Sequence, residues 1–432
     1  MSPIEVGIIG FIILFALIFL GLPVGASMLA VGFAGLWYFV GLDAAILKMA
    51  IVPFRFVSSY DWTVIPLFIF MAHICDASGI AKDLYNAAAK WLGHRRGGLG
   101  MATVAASCVF AAISASSIAS AATMGVVTIP EMRKHGYAPS LATGCVVAGG
   151  TMGVMMPPST TFIIYALLTG TSIGSLFLAG IIPALIEASF YILTVYLLCA
   201  LNPELGPRGP VYSFREKIYA FGYCGEIVGL ILLALGGLII GWFTPSEAGA
   251  VGAAGSIFFS MIRGRLSWKG FRGAAIQTMG TTGMIFFIVI GASVLMGFVA
   301  LSNIPTWLSE TVGGLQMPPL AILLMIVLVY MILGCIMDTL IMLLLTIPIF
   351  FPLAMNLGFD PIWFGVIVVA VAEIGLVTPP IGMNLFVISG MVPDIPMQTI
   401  IRGVVPFVIA DFCRLGIYIF FPAVALFLPS LR

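Results

Sequence analysis

Gly149-Gly150-Thr151-Met152-Gly153-Val154-Met155-Met156-Pro157-Pro158-Ser159-Thr160 and, 224 residues on, Glu373-Ile374-Gly375-Leu376-Val377-Thr378-Pro379-Pro380-Ile381-Gly382-Met383-Asn384 decide the fold. Each lies in a long apolar stretch and each holds a Pro-Pro pair. A Pro-Pro pair removes two amide donors and breaks the helical ladder, leaving carbonyls one turn earlier free. Free carbonyls, Ser and Thr hydroxyls and Asn384 are hard oxygen ligands that suit Na⁺ better than a transition metal. The helix restarting after the break presents amide donors and a positive dipole end to an anion. Two kinked helices without a ligand would share the same sequence pattern.

The surroundings are apolar throughout. The 432 residues are 61% hydrophobic and only 8% charged. Mean hydropathy is +1.19. A soluble domain usually carries roughly 25% charged residues. The chain therefore lies in lipid, with length for about 10 to 12 helical spans of about 20 residues each. Forty-nine glycines and 26 prolines point to breaks, hairpins and close crossings rather than plain helices. Short strands of alternating polarity are absent, which argues against a barrel. The seven cysteines and three histidines are scattered and lack metal-ligand spacing. A net charge of +1 gives no footprint for nucleic acid. The N-terminus lacks a basic leader region and reads as the first retained span.

The chain matches itself at a shift of 222 residues. Pro23 falls on Pro245, Pro130 on Pro352, Pro139 on Pro361 and Gly153 on Gly375, and the two Pro-Pro pairs coincide. A shift of 223 then brings Gly180 onto Gly403 and Pro183 onto Pro406. Such a register marks an internal duplication. With 98–130 and 317–355 as re-entrant hairpins, and 138–169 and 361–391 as interrupted spans, each half crosses an odd number of times. The repeat is then inverted. Fourteen of the 18 lysines and arginines fall on one side, leaving Lys48, Arg55, Arg414 and Arg432 outside it. The basic side is cytoplasmic and both chain ends are periplasmic. Charge bias sets this orientation but does not separate re-entrant hairpins from crossing ones.

Ile113-Ser114-Ala115-Ser116-Ser117-Ile118-Ala119-Ser120 reads as the first hairpin tip, or as a small-residue packing face. The shift of 222 places Asp338 on Ser116, so Cys335-Ile336-Met337-Asp338-Thr339 is the second tip. An unpaired acid in an apolar span costs roughly 2.5–3.5 kcal/mol, and a cation ligand is a better use for it. Phe243-Thr244-Pro245-Ser246-Glu247-Ala248 reads as a turn with a capped helix start, with Thr244 or Ser246 as the cap. An intramembrane enzyme would need a nucleophile and base or a metal motif, and none occurs. A channel would need a continuous polar path or rings of charge.

Gly149 to Gly153 with Pro157-Pro158-Ser159 resembles a signature of the large membrane subunit of tripartite ATP-independent periplasmic (TRAP) transporters, of the dicarboxylate and sialic-acid type. Gly375 to Phe386, Phe243 to Ala248 and Asp360-Pro361-Ile362-Trp363-Phe364-Gly365 resemble others of that family. The resemblance covers nearly the whole chain. It implies an all-α polytopic membrane protein of elevator type, in which a transport domain moves against a scaffold. The scaffold would be 1–61, 171–274 and 401–432, and the transport domain 62–170 and 275–400. It implies Na⁺ as coupling ion, with no organic cofactor. The first sodium site would involve Ser114, Ser116 and Ser117 with Gly150, Thr151 and Pro157. The second would involve Asp338 and Thr339 with Gly375 and Thr378. Substrate would lie near Ser159, Thr160, Pro380, Gly382 and Asn384.

The implied function is sodium-coupled uptake of a small carboxylate, such as a C4-dicarboxylate or sialic acid, across a bacterial inner membrane. Implied partners are a periplasmic substrate-binding protein and a small four-helix membrane subunit on a separate chain. A stand-alone sodium-coupled anion symporter of a related elevator fold would use the same repeat and breaks. Dependence on an added binding protein separates the two.

Overall fold

The computed structural model describes residues 1–314, 317–379 and 381–431, with the backbone alone for residues 56, 221, 223, 226, 227, 313 and 314. Among the described residues the chain is helical, without strands. The helices are α1 (Pro3–Phe19), α2 (Val24–Val40), α3 (Leu42–Val57), α4 (Val64–Ala77), α5 (Ile80–Leu92), α6 (Gly98–Ser114) and α7 (Ser117–Lys134). They continue as α8 (Pro139–Met155), α9 (Thr160–Thr169), α10 (Ile173–Leu201), α11 (Phe214–Ile240), α12 (Pro245–Ile262), α13 (Trp268–Leu301) and α14 (Ile304–Gly314). The last are α15 (Pro319–Ile336), α16 (Thr339–Asn356), α17 (Pro361–Val377), α18 (Met383–Met391), α19 (Met397–Phe420) and α20 (Ala423–Leu426).

Only helices satisfy their own backbone in lipid, so an apolar chain of this composition has little alternative. By length and composition 6 helical segments can cross a membrane, with α8 and α9 taken as one, or up to 7 if the bent α4–α5 pair is a span. Several shorter apolar helices, α1, α2, α6 and α17 among them, add to these. The protein is a multi-pass membrane protein.

Helix starts follow local chemistry. α1, α11 and α12 open on capping boxes, Ser2 with Glu5, Ser213 with Glu216 and Thr244 with Glu247. Of the two candidate caps before α12, Thr244 is the one used. Helices α3, α5 and α14 lie outside the apolar segments of the sequence. α5 buries Ile80, Ala81, Leu84, Tyr85 and Ala87 along one face, a pattern that a mean over the whole segment hides. It leaves α4 at an angle of 67°.

Helix–turn–helix units stand where both hairpins were expected, and each arm of the second, α15 and α16, is by length and composition able to cross a membrane. α6 and α7 meet at Ala115, which sits in the left-handed region at φ 50°, and Ser116 caps α7. α15 and α16 meet at Met337, and Asp338 caps α16 through Leu340 N at 3.0 Å. The mated residues Ser116 and Asp338 thus begin the second arm of their hairpins in the same way. α8 ends at Met155 and α9 starts at Thr160, and α17 ends at Val377 and α18 starts at Met383, so both apolar stretches are interrupted where a break was expected.

α8 is the central helix, flanked by α6, α7, α10, α17 and α19. α19 crosses it so closely that a Cβ on Gly403 would overlap the Ser140 carbonyl. A second group is built on α2 and α4 against α13, with α12 against α4. The sequence-drawn boundaries cut these groups differently: they set α4 and most of α13 with the broken helices, and α10 and α19 with the scaffold.

The basic loops share one face. Gly97 N bonds Gly206 O at 2.9 Å, Ala138 N bonds Leu205 O at 3.0 Å, and Gly209 N bonds Gly93 O at 2.8 Å. Arg133 pairs with Asp394 at 2.7 Å, and Arg265 pairs with Asp83. A cavity of about 550 Å³ separates the α9–α10 turn from the α11–α12 turn, with Asp61 and Glu247 on its wall. Arg414, counted from sequence with the outer charges, is instead fully buried within α19.

Candidate functional site

The first tip lies against the end of α8. Ser114 Oγ donates to Ser116 O at 3.0 Å and accepts from Ser116 N at 3.4 Å, closing the turn. Ser116 Oγ accepts from Ala119 N at 3.4 Å. A Cβ on Gly153 would stand 2.7 Å from the Ser116 carbonyl, and one on Gly150 would stand 2.6 Å from Ala121 Cβ. Only glycine lets the tip backbone come this near. Ser114, Ser116, Ser117, Gly150 and Gly153 are therefore one neighbourhood, rich in oxygen.

The second tip repeats the arrangement. Gly375, the mate of Gly153, faces Gly334 and the Cys335 amide; its Cβ would stand 2.5 Å and 3.0 Å from them. Thr339 is buried, and among the described residues its hydroxyl has no hydrogen-bond partner. Thr378 Oγ1 donates to Ile374 O at 2.5 Å, covering one carbonyl released by the break. Gly382 caps α18 at φ 37°, and a Cβ there would stand 3.1 Å from Leu376 O and 3.2 Å from Thr378 O. Two carbonyls from the end of α17 thus approach the start of α18.

Asn384 connects the two halves. It is fully buried, its Nδ2 donates to Ser117 Oγ at 2.7 Å, and its Oδ1 has no partner among the described residues. The first tip and the second broken helix therefore meet at Ser117 and Asn384. An unpartnered buried amide oxygen and an unpartnered buried hydroxyl are uncommon in a finished core.

Other sequence-selected residues have different work. Ser159 Oγ donates to Val154 O in a short bond and accepts from Phe162 N at 3.4 Å. It stitches the break of α8 and caps α9. Thr160 is buried in the first turn of α9, and Pro157 is buried at the break. Thr151 Oγ1 points away from the tip, donating to Ala148 O at 2.6 Å and to Glu187 Oε1 at 3.0 Å. Pro380 lies outside the described residues.

Sequence reasoning did not single out Glu187, Glu373, Asp411 or Arg414 as partners. The structure gathers all four, fully buried, beside Thr151. The signal was the one that singled out Asp338, ionisable residues inside apolar spans.

Comparison with known proteins accords with this architecture. Residues 11–424 match the family described as Tripartite ATP-independent periplasmic transporter, DctM component. The chain is 32% identical over 418 residues to the sialic acid TRAP transporter large permease protein SiaM of Vibrio cholerae, covering 96% of each chain. It is 35% identical over 384 residues to the C4-dicarboxylate TRAP transporter large permease protein DctM of Pseudomonas aeruginosa, covering 89% of each. The solved structure of the Alcanivorax borkumensis YdaH transporter shares the fold, with a TM-score of 0.62, 14% identity and 88% of each chain covered. These relatives are transport permeases and not enzymes. The chain belongs to the DctM component family of tripartite ATP-independent periplasmic transporters.

Proposed function

We propose that this chain is the carrier of a sodium-driven uptake system for a small organic anion in a bacterial inner membrane. A periplasmic binding protein delivers the anion, and a small four-helix subunit on a separate chain braces the carrier. The observation that carries this reading is the meeting of each hairpin tip with a broken helix, joined by Ser117 and Asn384. Na⁺ binds among the carbonyls and hydroxyls of Ser114, Ser116 and Ser117 with the carbonyls of Gly150 to Pro157, and again among the oxygens of Asp338, Thr339, Gly375 and Thr378. The carboxylate lies between the tips, held by amides at the starts of α9 and α18, by Asn384 and by the adjoining cations. The relatives' sialic acid and C4-dicarboxylates are both carboxylates, which supports the substrate class.

The halves are inverted repeats, and access alternates by an elevator motion. The moving body is α6 to α10 with α15 to α19, and the fixed body is α1 to α4 with α11 to α13. This assigns α10 and α19 to the moving body because both pack on α8, and α4 to the fixed body because it packs on α12 and α13.

Reconstitution tests the reading. The carrier, its small subunit and its binding protein are placed in proteoliposomes, and uptake of a labelled carboxylate is followed. An inward Na⁺ gradient and the binding protein are both required. Uptake without the binding protein would favour a stand-alone symporter, and uptake without Na⁺ would overturn the coupling.

A further inference from the structure

Apart from the tips, the bundle buries a second polar assembly. Arg414 on α19 donates from Nε to Asp411 Oδ1 at 2.7 Å, one turn earlier on the same helix. Its Nη2 donates to Glu373 Oε2 on α17 at 3.2 Å, and its Nη1 lies 3.5 Å from Glu187 Oε2 on α10. Thr151 on α8 donates to the other oxygen of Glu187 at 3.0 Å. Tyr191 on α10 donates to Asp411 Oδ1 at 2.6 Å and lies 3.3 Å from the Thr151 hydroxyl. One connected set therefore ties α8, α10, α17 and α19.

Stability alone does not account for it. Burying charges is costly, and apolar residues of similar volume commonly serve as well or better. What the set does have is position. Thr151 stands six residues before Pro157, and Glu373 six residues before Pro379. They are mates at the shift of 222, and Tyr191 and Arg414 are mates at 223. Each broken helix is thus held at the same level, about 9 Å of helical rise before its break. A planar guanidinium presents several donors in a fixed fork, so one side chain faces carboxylates from three directions. A lysine ammonium would not reproduce that geometry.

We propose that Arg414 is a positioning residue: through Glu373, Asp411 and Glu187 it holds the breaks of α8 and α17 in one register, so that the two tip–break sites load as a unit. This rests on the sodium-coupled reading above. A slip of α17 along α8 would part Asn384 from Ser117 and leave one tip facing the wrong turn. Arg414 touches neither ion nor substrate and acts through the helices it ties.

The test uses the complete transporter with its small subunit and binding protein in proteoliposomes. Three quantities are read: the half-saturating Na⁺ concentration for uptake, the melting temperature, and the distance distribution between spin labels. The labels stand at Thr171, past α9, and Phe386, on α18, in a background freed of native cysteines. Arg414→Lys keeps the charge and loses the fork. It is expected to raise the half-saturating Na⁺ about tenfold and to broaden the distance distribution. Tyr191→Phe keeps the ring and removes only the bridging hydroxyl. It is expected to move both readings the same way by about two- to threefold, and it decides the matter if Arg414→Lys fails to fold. A lowered melting temperature with wild-type Na⁺ dependence and an unchanged distance distribution would overturn the proposal. Wild-type uptake indifferent to Na⁺ would defeat the coupling reading instead, and the distance distribution would still decide whether Arg414 sets the register.

Discussion

Asn384 Nδ2 donates to Ser117 Oγ at 2.7 Å, a buried contact between residues 267 positions apart. It joins the first hairpin tip to the start of the second broken helix. Among the described residues Asn384 Oδ1 is left without a partner in the same place. A cation or a donor on the substrate would complete it.

Asn384→Ala removes both functions. Loss of the hydrogen bond leaves Ser117 unsatisfied and is expected to cost about 1–2 kcal/mol of stability. Uptake is expected to fall more than about tenfold, because the loss falls where substrate is proposed to be held. Melting curves and uptake by the same preparation separate the effects. Wild-type uptake by a destabilised variant would reduce the contact to a structural one.

Asp338 caps α16 through Leu340 N at 3.0 Å and is proposed to bind Na⁺. Asp338→Asn retains a capping oxygen and loses the charge, whereas Asp338→Ala loses both. The alanine variant is expected to lose about 1 kcal/mol more stability than the asparagine variant. Both variants are expected to lose most of their Na⁺ dependence or all transport. An unchanged Na⁺ titration in the asparagine variant would remove the carboxylate from the coupling site.

Gly375 lies on the backbone of Gly334 and Cys335, so a methyl group there has no flexible neighbour to displace. Gly375→Ala is expected to cost about 1–3 kcal/mol and to push the second tip off α17, abolishing coupled uptake. Gly280→Ala, in the interior of α13 with open space around its Cβ, is expected to be neutral or stabilising by about 0.5–1 kcal/mol. Equal effects at the two sites, measured by thermal melting and uptake, would contradict the close approach.

The basic loops at 201–217 and 263–272 are expected to face the cytoplasm. Ser213 caps α11 and is a poor reporter, because replacing it removes the capping box. Val211, exposed in the same loop, replaces it. In a background freed of native cysteines, Val211→Cys is expected to resist an impermeant thiol reagent in intact cells and to react in inverted vesicles. Labelling in intact cells would invert the topology.

An elevator carries the site along the membrane normal relative to the fixed helices. A label on α11 and one beside Ser159 are expected to give two distance populations, several ångströms apart, with weights that respond to Na⁺, substrate and binding protein. Cross-links that trap either population are expected to stop transport. A single distance in every condition, in an actively transporting sample, would leave a fixed site gated by its hairpins.

The sequence by itself determined the environment and the breaks. Lipid embedding follows from composition, because 61% hydrophobic and 8% charged residues cannot cover a protein in water. The interruptions at Pro157-Pro158 and Pro379-Pro380 follow from covalent structure, since a proline lacks its amide donor wherever the chain runs. Ser116 and Asp338 were legible as tip residues from the serine-rich interruption of an apolar run, the shift of 222 and the cost of an acid in such a run. Only the tertiary structure decided which distant groups meet. Thr151 was expected near the first tip, and packing of α10 turns its hydroxyl to Glu187 instead. Arg414 was counted as an outer charge, and the helices around it make it the centre of a buried network. The partner of Ser117 is 267 residues away because two hairpins and two broken helices must be folded together before Asn384 reaches it. Local covalent chemistry sets where a helix stops. The partner of a buried polar atom is set by helix packing over hundreds of residues, and no window of sequence contains that information.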